Sequence, residues 1–393
     1  MIPVEEAQRR ILEGARRLGV EVLPARAALG RVLAASVVAP RAFPEGAVSA
    51  MDGYAVAAAS IEANTPYRVS AMAPAGGVPQ ALATGTVVRI FTGALLPPGA
   101  DAVIIQENAD VDGDRVSFRR GALPGDHVRP AGQDLRAGAV ALCEGQRLTA
   151  GALMLSASVD AVELLVAQAP RVAFLCTGDE LRDPGAPHAP GLIAESNTPG
   201  LEALARAVGA RVSPSRRVED SLSRTIETLE ALLADHDVVF TVGGASVGDR
   251  DHVRPALLAL GAEIDVSKVR LKPGKPVMHA RLGSKRVIGL PGNPASALVT
   301  FALFAVPLLR ALQGDRRVHA PALRVALAAP ARATEDRVVA AIGALEAGGF
   351  SPHGNQASGA MTALAASDGF VLLPMVSGQV QSGTLVSFIA WPA

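Results

Sequence analysis

Cysteine is nearly absent from this chain. The 393 residues include only two cysteines, Cys143 and Cys176. They lie far apart, and neither has a second cysteine or a histidine at the spacing of a metal site. The sequence therefore argues against a disulfide framework or a structural zinc site, and it predicts two buried cysteines that behave as small hydrophobic side chains.

The chain also lacks an excess of charge of either sign. It has 37 basic and 37 acidic residues, so its formal net charge is zero. A protein whose main partner is a nucleic acid usually carries a large basic surface, and this balance disfavours that class of partner. Any anion site must therefore depend on a local arrangement of basic groups.

No segment has the composition of a signal peptide or a membrane-spanning helix. The first residues, Met1-Ile-Pro-Val-Glu-Glu, contain no basic region followed by an apolar one. No stretch reaches the roughly 18 apolar residues that a spanning helix requires. The longest apolar stretch, residues 297–309, is predicted to be a buried core helix. We therefore expect a soluble, cytoplasmic protein with no membrane partner.

The pattern of residues changes several times along the chain, and the length suggests roughly two to four domains. Residues 3–18 repeat apolar side chains at helical period and end at Gly19, which favours one amphipathic helix. Short Val- and Ile-rich runs between Gly and Pro are typical of a small all-β domain. The prediction is a discontinuous helical N-terminal domain (1–39 and 135–166), an inserted β domain (40–134), an α/β domain (167–316) and a C-terminal β-barrel-like domain (317–393).

Strand and helix patterns alternate from residue 171 onward. Continuous apolar strands, such as Arg171-Val-Ala-Phe-Leu175, are separated by helices predicted at 199–208, 221–234 and 251–260. This alternation predicts a parallel sheet covered by helices on both faces, which is a three-layer αβα domain. Ligands of such sheets bind at the carboxyl ends of the strands.

Two loops braced by Gly and Pro suggest an anion site at that edge. They are Lys272-Pro-Gly-Lys-Pro276 and Pro291-Gly-Asn-Pro-Ala-Ser296, and a predicted strand pair between them could bring them together. At about 4 Å and an effective dielectric near 20, each lysine would attract a unit negative charge by roughly 4 kcal/mol before desolvation. The same pattern is also typical of two surface turns with solvated lysines.

Two further loops follow predicted strands. Cys176-Thr-Gly-Asp-Glu180 ends in two carboxylates, and Thr241-Val-Gly-Gly-Ala-Ser-Val-Gly-Asp-Arg-Asp251 places glycines before a helix, where backbone N–H groups can approach a phosphate. Glycine-rich turns of this kind are also common structural devices. Acidic groups beside a phosphate suggest Mg²⁺, with Glu180, Asp220 and Asp251 as candidate ligands. Asp220 and Asp251 are equally suited to be helix N-caps. Because GxxxxGK[ST] and GxGxxG are absent, a P-loop or dinucleotide fold is unsupported.

A series of motifs then resembles one family closely. The chain is similar to the molybdopterin molybdenumtransferases, that is, the MoeA proteins and the gephyrin E-domain. The resemblance covers residues 49 to 296 in order and continues more weakly beyond. It rests on Ser49-Ala-Met-Asp-Gly-Tyr-Ala55, Phe91-Thr-Gly-Ala94, Pro98-Gly-Ala-Asp-Ala-Val103, Arg129-Pro-Ala-Gly-Gln-Asp134, Thr177-Gly-Asp-Glu-Leu181, Ser196-Asn197, Gly243-Gly-Ala-Ser-Val-Gly-Asp-Arg-Asp251, Lys272-Pro-Gly-Lys-Pro276 and Gly292-Asn-Pro-Ala-Ser296.

The resemblance implies a Mg²⁺-dependent enzyme that inserts molybdate into adenylylated molybdopterin and releases AMP. It implies a MogA-like central domain and a homodimer whose active site is shared between subunits. The adenylyltransferase of the pathway and the recipient apo-molybdoenzymes are the further partners that it suggests. By position, it implies catalytic roles for Asp52, Thr92, Asp134, Glu180, Asp220, Asp251, Lys268 and Lys272, substrate binding by Gly243, Gly244, Ser246, Lys272, Lys275, Pro276, Ser296 and Ser358, and metal binding by Glu180, Asp220 and Asp251.

One position departs from the family pattern. The family commonly has an arginine about five residues beyond the arginine that matches Arg337, and this chain has Ile342 there. A guanidinium that could form a bidentate contact with an oxyanion is then missing, which would weaken molybdate binding unless Arg337 or another arginine compensates. Two alternatives stay open: a molybdopterin adenylyltransferase, and a non-catalytic molybdopterin-binding scaffold.

Overall fold

The computed structural model describes residues 1–244 and 251–392. Its central element is a seven-stranded sheet that is covered by helices on both faces. The helices of the chain are α1 (Val4–Leu12), α2 (Ala150–Ser158), α3 (Asn197–Ala207), α4 (Leu222–Asp235), α5 (Val253–Ala259), α6 (Pro294–Thr300), α7 (Val306–Leu312) and α8 (Met361–Ala365), with a π-helical segment, Phe301–Ala305, between α6 and α7.

The predicted parallel sheet is correct for five of the seven strands. The remaining two form antiparallel pairs, because Met278–Leu282 runs opposite to both of its neighbours. Met278–Leu282 joins Lys285–Leu290 in a hairpin through only two residues, a connection too short for a parallel crossover. The strand order is Arg211–Val212, Arg171–Thr177, Val238–Val242, Lys285–Leu290, Met278–Leu282 and Glu263–Val266, and Arg216–Val218 also pairs with Arg171–Thr177.

Alternate residues of the central strands enter two separate cores, as expected for strands buried on both faces. Phe174 lies in one core and Leu175 in the other. On the first face Phe174 stacks on Phe240 with ring centroids 5.0 Å apart, and Phe301 lies 5.1 Å from Phe240. Helices α1, α3, α6 and α7 cover this face, whereas α4 and α5 cover the other.

The long apolar segment is a core helix, as predicted. In the described part of the chain, Pro294–Leu312 is the one helix long and apolar enough to cross a membrane, yet 83% of its apolar window is buried inside the protein. Its apolar side chains form part of the core beside the central sheet.

Helix α1 is shorter than predicted. It ends at Leu12, because Gly14 adopts a left-handed conformation (φ 67°) that stops the helix before Ala15 and Leu18. Its buried residues pack into the core of the α/β sheet.

The flanks of the inserted β segment share a small core of their own. A single α-helix, α2, packs there with two antiparallel ribbons, so the region is less helical than we expected. The cause is the alternation of exposed and partly buried residues in Val20–Pro24, which is a strand pattern. The ribbons pair Val20–Pro24 with Glu163–Ala167 and Val37–Val38 with Val140–Leu142.

The inserted segment forms a six-stranded sheet around its own two cores. Its strands are four to seven residues long. In spatial order the strands are Ala102–Ile105, Gly53–Val56, Thr86–Ile90, Tyr67–Ala73, Arg115–Phe118 and Ala109–Asp112.

The C-terminal region is a second six-stranded sheet, and one of its strands comes from the α/β region. Leu271–Lys272 pairs in parallel with Val338–Val339, which joins the two regions directly. A bridge between Leu327 and Phe350 brings the far edge of the sheet back toward its start. The remaining strands are Leu323–Ala326, Val338–Glu346, Gly349–Pro352, Gly369–Leu373 and Leu385–Ala390, and Ala331–Ala333 pairs separately with Gly378–Val380.

Candidate functional site

Three loops meet at the carboxyl edge of the central sheet. They follow the neighbouring parallel strands Arg171–Thr177, Val238–Val242 and Lys285–Leu290. A Cβ atom placed on Gly243 would lie 2.9 Å from the carbonyl oxygen of Thr177, and one placed on Gly292 would lie 3.8 Å from the Cα of Gly243. The predicted convergence of these loops is therefore present.

The second loop can accept only glycine at its start. Gly243 and Gly244 have φ angles of 85° and 63°, which disfavour other residues. A Cβ atom on Gly244 would lie 2.6 Å from Val253 Cγ2 and 3.0 Å from Thr177 Oγ1. The loop backbone thus packs tightly against Thr177 and Val253, while both glycines stay partly exposed. Partly exposed glycine backbone at this edge is suited to bind a phosphate. Ser246, which the resemblance assigned to this loop, lies outside the described residues.

Asp251 is the one predicted metal ligand with an unusual environment. Its carboxylate lies beside Gly244, and among the described residues neither oxygen has a hydrogen-bond partner, although both are buried. Burial raises the pKa of Asp251 to about 6, and the nearby backbone amides of Arg254 and Val253 offset only part of that effect. The N-cap of α5 is His252, so Asp251 lies one residue before the capping position, although its carboxylate is near the N–H groups of Val253 and Arg254 at the start of the helix. A buried carboxylate of this kind is suited to bind a cation.

Glu180 and Asp220 do not join Asp251 in a three-carboxylate cluster. Within residues 1–244 and 251–392, no group of three acidic, His or Cys side chains is close enough together to hold a metal ion, so the described side chains do not form the expected cluster by themselves. Glu180 is exposed and its carboxylate folds back over Gly178. The N–H of Asp220 donates to Asp179 (3.0 Å).

Asp220 is not the N-cap of α4, contrary to the alternative prediction. The cap of α4 is the next residue, Ser221, whose hydroxyl accepts from the N–H of Arg224. Asp220 is therefore one residue outside the capping position, and its side chain is only partly buried.

The loops of residues 272–276 and 291–296 lie together, as the sequence suggested. The hairpin between Met278–Leu282 and Lys285–Leu290 brings their ends to the same edge. Gly274 packs so closely on α6 that a Cβ atom there would lie 2.5 Å from Thr300 Cγ2. The side chains of Lys272 and Lys275 are exposed, Pro276 is partly exposed, and Ser296 is 5% exposed at the start of α6.

The C-terminal sheet contacts this side of the cleft. Lys272 lies in the strand that pairs with Val338–Val339, and the N–H of Ala295 donates to the carbonyl oxygen of Ser358 (2.9 Å). Lys268 is farther back along the chain and partly buried, and its carbonyl oxygen accepts from the N–H of Ile2 (3.1 Å). Lys272, Ser296 and Ser358 thus lie where the α/β and C-terminal regions meet.

Ile342, which stands where the family commonly has an arginine, is part of a hydrophobic core. The structure therefore does not support an oxyanion-binding role for a side chain at this position. The side chain is 1% exposed, and Gln356 bonds both its backbone N–H (3.0 Å) and its carbonyl oxygen (2.8 Å). A guanidinium placed there would be buried among apolar groups. Arg337 lies nearby in sequence, with its Nε 3.0 Å from Asp336.

Three predicted site residues lie in or beside the inserted β sheet. Asp52 accepts hydrogen bonds from the backbone N–H and the hydroxyl of Thr92, both at 2.8 Å, and these bonds lower the pKa of Asp52. Asp134 is exposed, and its N–H donates to Phe43 (3.1 Å). In the described structure, every hydrogen bond recorded for these three residues has its partner within residues 43–134, so the chain itself does not bring them into bonding contact with the α/β loops.

Sequence reasoning assigned no role to Thr177, Glu195 or Asn197, which also line this edge. The side-chain Nδ2 of Asn197 donates to the carbonyl oxygen of Gly292 (2.7 Å), and Glu195 is buried at the N-terminus of α3. Cys176, at the end of the first strand, is buried as predicted, and burial raises the pKa of its thiol to about 12. Cys143 is only partly buried, contrary to the prediction. The short Ser196-Asn197 motif was the available signal for Asn197.

Known proteins match this chain along nearly its whole length. Family profiles match at residues 2–159 ("MoeA N-terminal region (domain I and II)"), 173–311 ("Probable molybdopterin binding domain") and 324–391 ("MoeA C-terminal region (domain IV)"). Molybdopterin molybdenumtransferase 2 of Mycobacterium tuberculosis is 35% identical over 98% of both chains. The chain belongs to the molybdopterin molybdenumtransferase family. The enzyme of that name from a Nostoc species is 38% identical over 75% of this chain and 70% of its own length.

Solved structures of the family have the same fold. The crystal structure of a molybdopterin biosynthesis MoeA protein from Pyrococcus horikoshii covers 100% of both chains with a TM-score of 0.86 at 25% identity. A second structure of a Pyrococcus horikoshii MoeA protein has a TM-score of 0.80 at 28% identity, again over both whole chains. The family similarity includes the N-terminal and C-terminal regions, so the alternative of an adenylyltransferase built mainly from the α/β domain is not favoured.

Proposed function

We propose that this protein transfers molybdenum from molybdate to adenylylated molybdopterin and releases AMP. The transferase class and the role in molybdenum cofactor biosynthesis follow from its family membership. The observation that supports the proposal most is that the glycine loop, the buried carboxylate oxygens of Asp251 and the two exposed lysines meet at one edge of the sheet. One side of this cleft suits a phosphate and a cation, and the other suits an oxyanion.

The residues of the cleft divide the work between binding and charge stabilisation. The backbone around Gly243 and Gly244 would hold the phosphates of the adenylyl group. Lys272 and Lys275, with Pro276, Ser296 and Ser358 beside them, would hold molybdate near the dithiolene sulfurs. The pyrophosphate-like bond is then attacked by an oxygen nucleophile, and AMP leaves. Positioning and preorganised charge would supply most of the rate enhancement, without a covalent enzyme intermediate.

Asp251 is the residue that fits Mg²⁺. Both of its carboxylate oxygens are buried and unpartnered among the described residues, which is costly for an ionised group unless a cation is bound. Mg²⁺ commonly takes one or two carboxylates together with substrate phosphates and water, so one carboxylate suffices. A bound Mg²⁺ would polarise the phosphate oxygens of the substrate.

We also propose that the active unit is a homodimer in which Asp52, Thr92 and Asp134 serve the cleft of the other subunit. The support is that these polar motif residues are held in the inserted region without hydrogen bonds to the α/β loops of their own chain. Two inactive variants test this. If Asp52→Asn and Asp251→Asn subunits are mixed and allowed to exchange, half of the dimers are mixed and each regains one intact site, which gives about a quarter of wild-type activity. A mixture that stays as inactive as its components, despite proven exchange, contradicts the shared site.

The reaction itself is tested by AMP release. Purified protein is incubated with adenylylated molybdopterin, Mg²⁺ and molybdate, and AMP is measured by chromatography. We expect release that requires molybdate, and no AMP would contradict the proposal. ATP-dependent adenylylation of molybdopterin would support the adenylyltransferase instead. Binding of molybdopterin without any turnover by the wild type would favour a scaffold, and full turnover by an Asp251→Ala variant would contradict the role of Asp251. Binding to the adenylyltransferase of the pathway and to apo-molybdoenzymes remains a prediction.

A further inference from the structure

A buried carboxylate fixes the first turn of α3 beside the cleft. Glu195 is 7% exposed. Its carboxylate accepts hydrogen bonds from the N–H of Asn197 (2.8 Å), the N–H of Thr198 (3.1 Å) and the Thr198 hydroxyl. The first amide groups of a helix have no partner inside it, and negative charge at that end is favourable. Glu195 therefore holds the backbone of Asn197 in a defined position.

The side chain of Asn197 links the start of α3 to the loop that contains Gly292. Its Nδ2 donates to the carbonyl oxygen of Gly292 at 2.7 Å, across 95 residues of sequence. Gly292 lies against Gly243 and begins the segment that leads into α6. The hydrogen bond thus fixes this segment where it passes the glycine loop.

The C-terminal region holds the same segment from its other side. The N–H of Ala295 donates to the carbonyl oxygen of Ser358 at 2.9 Å. Asn293 between the two anchors is exposed, and Ser296 follows directly. Residues 292–296 are therefore suspended between α3 and the C-terminal region, with one hydrogen bond to each.

The side-chain amide of Asn197 has a hydrogen-bond partner for its nitrogen but none for its oxygen among the described residues. Its Oδ1 is buried and has no hydrogen-bond partner among the described residues, so the contact with Gly292 is the one described bond that orients the group. An unpaired buried carbonyl has a cost that a purely structural asparagine would avoid. The arrangement favours a requirement for the donor at this place.

We propose that Asn197, held by Glu195, is a positioning residue that fixes residues 292–296 and so sets the spacing between the phosphate side and the molybdate side of the cleft. The inference rests on the proposed function, because the two sides are those of the proposed transfer.

The test uses Asn197→Asp in the full-length protein. Aspartate has nearly the same shape and is favourable in the first turn of a helix, so the fold should be retained. Its oxygen would repel the carbonyl oxygen of Gly292 in place of the lost donor. We expect a melting temperature close to that of the wild type, faster hydrogen exchange at the amides of residues 292–297, and a KM for molybdate raised roughly tenfold. Glu195→Gln should shift exchange in the same segment to a smaller extent.

The matched control is Leu204→Ala, which removes a buried side chain (8% exposed) farther along the same helix. It should lower the melting temperature without changing exchange in residues 292–297 or the KM for molybdate. Wild-type exchange and wild-type KM in Asn197→Asp would overturn the inference, as would an equal effect of Leu204→Ala. Hydrogen exchange needs no substrate, so failure of the positioning role and failure of the proposed reaction are distinguishable.

Discussion

Two aspartates in two regions of this molecule have opposite electrostatic environments. Asp251, at the edge of the central sheet, is partly buried without a described hydrogen-bond partner, and burial raises its pKa to about 6. Asp52, in the inserted sheet, accepts two hydrogen bonds from Thr92, the backbone one having the larger effect, and they lower its pKa. The central sheet therefore keeps a desolvated carboxylate without a described hydrogen-bond partner, whereas the carboxylate beside the inserted sheet is fixed by two hydrogen bonds.

The glycines of the two regions differ in the same way. Gly244 and Gly113 both have positive φ angles, 63° and 58°. A Cβ atom on Gly244 would collide with Val253 and Thr177, whereas one on Gly113 would meet nothing within 4 Å. The two glycines thus share a backbone conformation, but only Gly244 is closely surrounded by other residues.

The largest expected effect on turnover is that of Asp251→Asn. Loss of the carboxylate should lower AMP release by about 10²–10³-fold, because a charge that stabilises the reacting phosphate is lost. Asp52→Asn should also reduce turnover. A variant of Asp251 with near wild-type turnover would contradict the cation site.

The same pair of variants should differ in the sign of their effect on stability. The folded-state pKa of Asp251 lies above the unfolded value of 3.8, so the wild type loses stability as pH rises through about 6. Asp251→Asn avoids that loss and should be more stable than the wild type by about 1 kcal/mol at pH 8, after allowance for partial solvent screening. The pKa of Asp52 is lowered, so Asp52→Asn should instead lose a stabilisation that is present above pH 4. Urea unfolding at several pH values measures both effects, and Mg²⁺ should stabilise the wild type but not Asp251→Asn.

Gly244→Ala should have the next largest effect. The added Cβ would lie 2.6 Å from Val253, and the positive φ adds strain of about 1–2 kcal/mol. We expect turnover to fall by roughly 10²-fold, because even small displacements at a reaction site are costly. The matched variant is Gly113→Ala, which should lose only about 1 kcal/mol of stability and retain turnover. Equal activities of the two variants would show that the enclosure of Gly244 is unimportant.

Lys272→Ala should raise the KM for molybdate by roughly tenfold, because one positive charge at the oxyanion side is removed. Lys285→Ala is the control, because Lys285 begins the strand Lys285–Leu290 at the end of the central sheet opposite the cleft, where its ammonium donates to the carbonyl oxygen of His236 (2.8 Å). This control should leave the KM unchanged. Steady-state assays at varied molybdate concentration compare them, and an equal rise in both variants would indicate a nonspecific charge effect.

Ile342→Arg should have the smallest effect on molybdate binding. The side chain at this position is 1% exposed in an apolar core, so an arginine would cost several kcal/mol of stability and provide no guanidinium to the cleft. Ile342→Leu, which keeps the volume, should cost less than about 1.5 kcal/mol. Calorimetry with molybdate, together with thermal unfolding, measures both quantities. Tighter molybdate binding by a folded Ile342→Arg protein would restore the original interpretation of this position.

Much of the fold was accessible from local patterns. The loops around Gly243 and Gly292 are predictable from the sequence, because glycine and proline mark turns in neighbouring residues. Buried strands such as Val238–Val242 are predictable as continuous apolar runs. The end of α1 was misplaced, since the left-handed Gly14 stops a helix whose apolar pattern continues to Leu18. This helix ends because of one glycine, and the spacing of apolar residues does not reveal that end.

The candidate site was accessible only in part. The positions of Lys272, Gly244 and Asp251 were identified from motifs, but the environment of Asp251 was not, because burial depends on helices and strands that are distant in sequence. The grouping of Glu180 and Asp220 with Asp251 depends on contacts of the same distant kind, and in the described residues these side chains do not form a three-residue cluster. Asn197 was visible in a motif, yet its role depends on a contact with Gly292, which lies 95 residues away.

The shortage of cysteine, the balanced charge and the order of loops along the chain are properties of the sequence by itself. They determined that no disulfide framework was expected, that any anion site had to be local, and that the three ligand loops follow parallel strands. Tertiary structure decided the antiparallel edge of the central sheet, the pairing of Lys272 with the C-terminal sheet, the burial of Ile342 and the raised pKa of Asp251. The physical reason is that propensity and turn geometry act between neighbours in the chain, whereas desolvation and strand pairing depend on groups that meet only after folding.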